Sequence, residues 1–471
     1  MNKMTKIAAF IGVALVASGA NAADWNVTQS ADITVPAPSM TQGATSNVAS
    51  SNQALNGIVI DAVNDDLASG TQTTIISSST GVDLTQGPSV DASNQALNLI
   101  IGKDVGSVST ISQTVSQTDF STTALTQADT SSAGANVQAA NLTDATGDID
   151  RLVQNYDEVG NVNLTQSTMT TSGNVQGINY AKGVNVATSN LTQSVNVSGV
   201  SSMTQGAGNS GGNNTQIGNA AIATTGSLDL TTQTFTAAAD LTLTQAASGA
   251  SNVQATNLMK TESGGNIGDS IGSTTQTTTI ASGPADFSQT VSASGNVQAG
   301  NFASSDADIS DLTQTFEASG ALEVDFDQTP TAAANTQAGN MAVLATGTGD
   351  FIDEISQVFN SSTTLTDLNQ VSASSTLTQA GNLIDITTGT IDDSGTTQLF
   401  TALGGAVTMN QSGAGAASGN LQALNAIVDN AGAGSGGTVN QVLTIASTSF
   451  SMVQDNISGS GQYGNFVGVK Y

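Results

Sequence analysis

Neither cysteine nor histidine occurs anywhere in the 471 residues. The first absence excludes disulfides, thiolate nucleophiles and zinc-thiolate sites; the second removes the imidazole on which most acid-base and metal chemistry relies. Basic side chains are scarce too. Seven Lys and Arg against 36 Asp and Glu give a formal charge of −29 and a pI near 4.1. The clustered cations that track a phosphate backbone are missing, so nucleic acid is not an expected partner. Aromatics make up 4%, and Trp25 is the single tryptophan, which leaves few platforms for stacking a sugar. Gly268-Asp269-Ser270-Ile271-Gly272 matches a nucleophile elbow, but no imidazole exists to deprotonate its serine. The chain is therefore read as non-enzymatic, with no resident cofactor. Disorder does not follow from the polarity, because 38% of residues are hydrophobic and the mean hydropathy is near zero.

Residues 1–22 read as a secretory signal peptide: Lys3 and Lys6, an apolar run from Ile7 to Val16, and the small-x-small site Ala20-Asn21-Ala22. Ser18, Gly19 and Asn21 interrupt the run well short of the roughly 18–20 apolar residues that a membrane-spanning helix needs. The mature chain then starts at Ala23 without a transmembrane segment. It keeps five basic and 36 acidic residues, a formal charge of −31. The expected location is outside a bacterial cell, either secreted or at the surface. With no disulfides to form there, stability must come from backbone pairing and packing.

What the sequence has in abundance is a repeat. Gln-x-x-Asn recurs eleven times, beginning at Gln53, Gln95, Gln138, Gln176, Gln216, Gln254, Gln298, Gln337, Gln379, Gln422 and Gln462, at spacings of 38 to 44 residues with a mean of about 41. Two more glutamines mark each period. One sits in an apolar-x-Gln-x-apolar frame, as in Leu152-Gln154-Tyr156 and Leu312-Gln314-Phe316; its row comprises Gln113, Gln154, Gln193, Gln233, Gln276, Gln314, Gln357, Gln398 and Gln441. The other closes an apolar-x-apolar-x-Gln frame, as in Val162-Leu164-Gln166 and Val324-Phe326-Gln328; its row is Gln86, Gln127, Gln166, Gln205, Gln245, Gln289, Gln328, Gln370, Gln411 and Gln454. Period two puts each glutamine on the face of the large apolar side chains, the buried face of a strand. In the Gln-x-x-Asn segment, the same alternation expects Asn296, Gln298, Gly300 and Phe302 on one face.

Three strand-like segments and three turns per period describe one coil of a three-sided parallel β-solenoid. The expectation is an all-β chain of about eleven coils of about 41 residues, three strands per coil. A propeller needs four strands per blade and few blades, and an outer-membrane barrel needs aromatic girdles. A buried glutamine is costly unless its amide is satisfied, and stacked coils satisfy it by bonding each amide to its equivalent about 4.8 Å away. In this division residues 23–42 form an amino-terminal partial coil or cap carrying Pro36 and Pro38, residues 43–465 the array, and residues 466–471 the end of the last strand.

Acidic residues gather at one place in the period, just before the apolar-x-Gln-x-apolar frame. Asp306, Asp308 and Asp311 in one copy and Asp350, Asp353 and Glu354 in the next would align along one corner. This is a solvated corner that resists sideways aggregation, or alternatively a loose Ca²⁺ site, since Ca²⁺ accepts carboxylates in flexible geometry.

Gln298-Ala299-Gly300-Asn301-Phe302-Ala303 and Gln337-Ala338-Gly339-Asn340-Met341-Ala342, with a further glutamine row on the next strand, resemble the Gln-x-Gly-x-x-Asn-x-Ala repeat of curlins and related functional-amyloid subunits. The resemblance runs in outline from Gln29 to Gln462. Here the Asn follows the Gly directly, and Leu55, Leu97, Ile178, Thr256 and Leu424 replace that Gly in other copies. It implies a secreted subunit that polymerises into extracellular β fibres of a biofilm matrix. The partners of such a subunit are its own copies and outer-membrane secretion or nucleator proteins. The alternative is a monomeric cell-surface adhesin or surface-layer protein with an acidic face.

Overall fold

The structure, a computed structural model, describes residues 12–16, 24–34, 39–42, 48–49, 52–61, 66–77, 81–87, 90–91, 93–103, 105–128, 135–167, 172–209, 211–268, 273–332, 334–345, 351–372, 376–387, 389–391, 395–413, 419–430, 438–455 and 460–468. Among these the regular elements are all strands. The Thr, Val and Ile that fill them favour a pleated, half-buried surface, and Gly, Ser, Asn and Asp fill the corners.

The chain winds as a parallel β-solenoid with three sides. One coil runs through Thr215–Ala223 on the first side, Thr231–Ala237 on the second and Leu241–Ala247 on the third, and returns to the first side at Val253–Thr261. There Val253–Thr261 pairs in parallel with Thr215–Ala223, Gln254 beside Gln216 and Asn257 beside Asn219. The first side is a sheet of twelve strands: the eleven Gln-x-x-Asn segments preceded by Gly12–Val16, which lies along Asn52–Asp61. The second and third sides count as one sheet because Thr396–Gly413 and Val439–Asp455 pass round their shared corner without a break. Asp24–Ile33, Ser39–Gln42 and Asn52–Asp61 form the first coil; Pro36 and Pro38 lie outside the described residues.

The period varies because the corner between first and second sides varies. Ala223 and Thr231 are joined by seven residues, Thr261 and Thr274 by twelve. The corner stays in register through an apolar column in which Val186, Leu228, Ile267 and Ile309 bridge one another in turn, all fully buried. Extra residues are extruded while one hydrophobic side chain per coil holds the stack.

The interior is filled from all three sides. One cluster lies between the middle of the first side and the corner of the other two, with Leu97, Val115 and Leu125 among its members; another, with Ile100, Ile111 and Leu228, fills the corner of first and second sides. In the second half of the chain the filling is aromatic. Phe316, Phe359 and Phe400 occupy equivalent positions of successive coils and stack with ring centroids 5.2 and 4.9 Å apart, and Phe287 stacks on Phe326 at 4.4 Å.

Simple alternation fails on the first side. Pairing runs from Ala299 with Ala338 to Asn301 with Asn340 and omits Gly300. Asn301 therefore points to the same side as Gln298, bonding across the interior to Thr315 O while Gln298 bonds to Phe287 O. Phe302 moves to the opposite side of the sheet, where it joins Ala299, Leu258 and Met341 in a third buried cluster. The expectation that Gln298 and Phe302 share a face is corrected by this one-residue irregularity, which recurs at each Gln-x-x-Asn.

Candidate functional site

The side chains with a repeated, buried and chemically specific role are the glutamines and asparagines. On the second side Gln72 Nε2 donates to Gln29 Oε1, Gln113 to Gln72, Gln154 to Gln113, Gln193 to Gln154 and so on to Gln441 and Gln398, at 2.7 to 2.9 Å. The third side repeats this from Gln86 to Gln454, at 2.7 to 2.9 Å. The first side does so from Gln53 to Gln462, at 2.7 to 3.0 Å. In all three rows the later coil donates and the earlier accepts.

The asparagines run the other way. Asn56 Nδ2 donates to Asn98 Oδ1, Asn98 to Asn141, and the row continues to Asn425 and Asn465 at 2.8 to 2.9 Å. Each amide uses another hydrogen to tie two sides together: Gln154 Nε2 reaches Tyr180 O on the first side, and Asn179 Nδ2 returns to Ser194 O on the second. A net bond contributes about 1 kcal/mol, but a buried amide left unmatched costs about 1–3 kcal/mol. Once one coil carries Gln, its neighbours must carry Gln.

A fifth row escaped the sequence reading. Asn136, Asn174, Asn214, Asn252, Asn296 and Asn335 stack at the corner of third and first sides; from Asn174 on, each Oδ1 takes both the side-chain and the backbone N–H of the asparagine one coil earlier, and Asn136 Oδ1 takes the backbone N–H and hydroxyl of Ser93. Its only sequence signal is an Asn two residues before the Gln, in letters otherwise typical of turns.

The rows end at different atoms. At the carboxyl end, Gln441, Gln454 and Gln462 donate to the coil before, while among the described residues their Oε1 atoms take no donor. Leu443, Ile445 and Met452 are only partly buried there, and Phe450 and Val467 are exposed. At the amino end, among the described residues, Asn56 Oδ1 has no donor, and Gln53 Nε2 bonds to Met40 O and Thr85 O but to no glutamine. The side chain of Gln42 lies outside the described residues.

The corner acids are only partly brought together. Glu354 and Asp311, on adjacent coils, share a hydrogen bond that raises the Glu354 carboxyl, with the Asp311 and Asp353 charges adding to it. Asp306 N is held by Thr261 Oγ1 and Asp308 N by Asn266 Oδ1. Asp350 lies outside the described residues, as do Asp269 to Gly272. Among the described residues no three acidic side chains are grouped to hold a metal ion.

A closer set of acids sits on the outer face of the third side. Asp286, Asp325 and Asp367 are in register on three successive coils. Burial, then Asp327, Asp367, Asp286 and Glu323, push the Asp325 carboxyl up to about 7; Asp286 and Asp367 are raised by burial and by Asp327 and Glu323. One carboxyl lies inside the solenoid. Glu158 takes the place held by Gln117 and Val197 in neighbouring coils, accepts a hydrogen bond from Tyr156 Oη, and is pushed by burial up to about 8. It keeps its proton at neutral pH.

Compared with known proteins, the chain matches no family model, no curated protein and no solved structure. Among the described residues no helix is long and apolar enough to cross a membrane.

Proposed function

We propose that the chain is a secreted, non-enzymatic structural protein whose copies stack end on end, coil upon coil, into extracellular fibres of a biofilm matrix. The observation that carries this reading is the state of the end coils: among the described residues the three glutamine rows reach the last coil with an acceptor unused, and the asparagine row begins with one unused at Asn56. A solenoid end with unpaired strand edges templates further pairing unless it is capped, and here the exposed Phe450 and Val467 add an apolar incentive. The missing Cys suits a protein that takes its strength from backbone ladders, and the resemblance to curlins points the same way. The partners of the fibre subunit are other copies, with an outer-membrane secretion or nucleator protein to deliver and seed them.

Negative-stain electron microscopy of the exported chain, from immediately after dilution out of denaturant to several days, tests the proposal. Unbranched fibres growing from monomer are expected. Persistent rods of about 53 Å, eleven coils at about 4.8 Å each, would overturn it and favour a monomeric adhesin or surface-layer protein.

A further inference from the structure

The direction of the amide rows, together with the count of coils, restricts how two copies can meet. Each glutamine row contains eleven residues: Gln29 to Gln441 on the second side, Gln42 to Gln454 on the third and Gln53 to Gln462 on the first. The repeat thus opens on the second side and closes on the first after a whole number of coils. A next copy set on the carboxyl end begins on the side where the winding would continue.

We infer that the interface between copies is head to tail, with Gln29 of the incoming copy seated on Gln441, Gln53 on Gln462 and Asn56 on Asn465, so that the fibre is polar and its seam repeats the bonding of an interior coil. The inference rests on the fibre reading and adds its geometry. In this arrangement the Oε1 of Gln462, which takes no donor among the described residues, receives the Nε2 of Gln53, and Gln441 lies in register with Gln29. In the opposite sense, Asn465 Nδ2, which bonds to Gln441 O with one hydrogen, gives the other to the vacant Asn56 Oδ1. Tail-to-tail docking would set glutamine acceptors against glutamine acceptors, each a buried polar atom left unmatched. Head-to-head docking would set Gln53 Nε2 against another donor.

In the unprocessed chain that edge is occupied. Gly12–Val16 pairs along Asn52–Asp61, from Gly12 beside Asn56 to Val16 beside Ile60, where the preceding copy's Ser460–Gly468 would lie. With residues 1–22 read as a leader, its removal uncovers the docking edge.

The lack of native Cys makes a clean test. Thr28 pairs with Thr71 and Asn440 with Thr397 in one outward-facing row of the second side, so the seam brings Thr28 of one copy beside Asn440 of the next, about 4.8 Å away on strand spacing and within disulfide reach. Full-length chains carrying Thr28→Cys, Asn440→Cys or both are expressed, collected after export, assembled under reduction, oxidised and run on non-reducing gels. The expected result is a ladder of covalent oligomers from the double variant and monomers from each single variant. Dimers from either single variant would overturn the polarity. Fibres without cross-links in any variant would overturn the seam register. Failure of the unsubstituted chain to form fibres would overturn the fibre reading itself, a result distinguishable from both.

Discussion

Gly339 lies against the ring of Phe359, close enough that a Cβ at residue 339 would overlap the ring edge. The glycine belongs to a Gln-x-x-Asn segment of the first side, and the phenylalanine follows the glutamine of the second side in the same coil. Gly218 with Phe235, Gly300 with Phe316 and Gly381 with Phe400 repeat the relationship. Copies that carry a larger residue at the glycine position carry a smaller one opposite: Leu55 with Thr74, Leu97 with Val115, Ile178 with Val195. Thr256 and Thr278 fill the space by bonding their hydroxyls. The apparent irregularity of the repeat is conservation of volume within each coil, as a close-packed interior requires.

Gly339→Leu should destabilise the chain by about 1–3 kcal/mol through overpacking. Phe359→Val alone leaves a cavity and should cost a similar amount. The double variant should lose less than the sum, because the inserted side chain fills the vacated space. Urea denaturation of the four proteins checks this; strictly additive losses would mean that the two residues do not share one volume.

The carboxyls set a pH dependence with a definite sign. Folded Asp325 is raised to about 7 and Glu158 to about 8, above unfolded values of about 4. In that window the folded state holds more protons than the unfolded state, so stability is greatest near pH 4 and falls as pH rises through 7 and 8. Asp325→Asn together with Glu158→Gln should flatten the profile between pH 5 and 8. Stability measured by denaturation across that range decides, and an unchanged slope would contradict the assignment.

Replacing Gln154, Gln193, Gln233, Gln276 and Gln314 together by Glu would stack five like charges within the interior at one-coil spacing. β structure should be absent at pH 7 and recover below about pH 4, as the side chains protonate. Circular dichroism at the two pH values reads the result; native β content at pH 7 would show that the row does not hold the coils.

The second and third sides were legible because their glutamines obey strict alternation: Leu152, Gln154 and Tyr156 read as one buried face and are one. The first side was legible as a repeat but not as geometry. Dropping Gly300 from the ladder turns Asn301 inward and Phe302 outward, and no period of two contains that step. The corner asparagines were hidden in turn-like letters, and the row of Asp286, Asp325 and Asp367 exists only after residues about 40 apart in sequence are stacked. Glu158 was missed for a related reason: its burial follows from its place opposite Gln117 and Val197, not from its neighbours in the chain. The acidic corner was visible as composition, but the hydrogen bond between Asp311 and Glu354 on adjacent coils was not.

Charge should govern the rate of assembly. At a formal charge of −29 for the whole chain, end-on approach is opposed over a screening length of about 30 Å at 0.01 M salt and about 10 Å at 0.1 M. Elongation from preformed seeds should therefore speed up severalfold between these concentrations of NaCl. Light scattering follows it; a rate independent of salt would mean that repulsion between copies is not limiting.

The most direct test of the account is the axial repeat of the assembled fibre, measured by electron cryomicroscopy. Stacked eleven-coil solenoids predict a layer line near 4.8 Å together with a subunit repeat of about 53 Å, the coil spacing multiplied by eleven. A 4.8 Å repeat in which each chain contributes one layer would contradict the account, because the chains would then be joined as flat strands and not as folded solenoids.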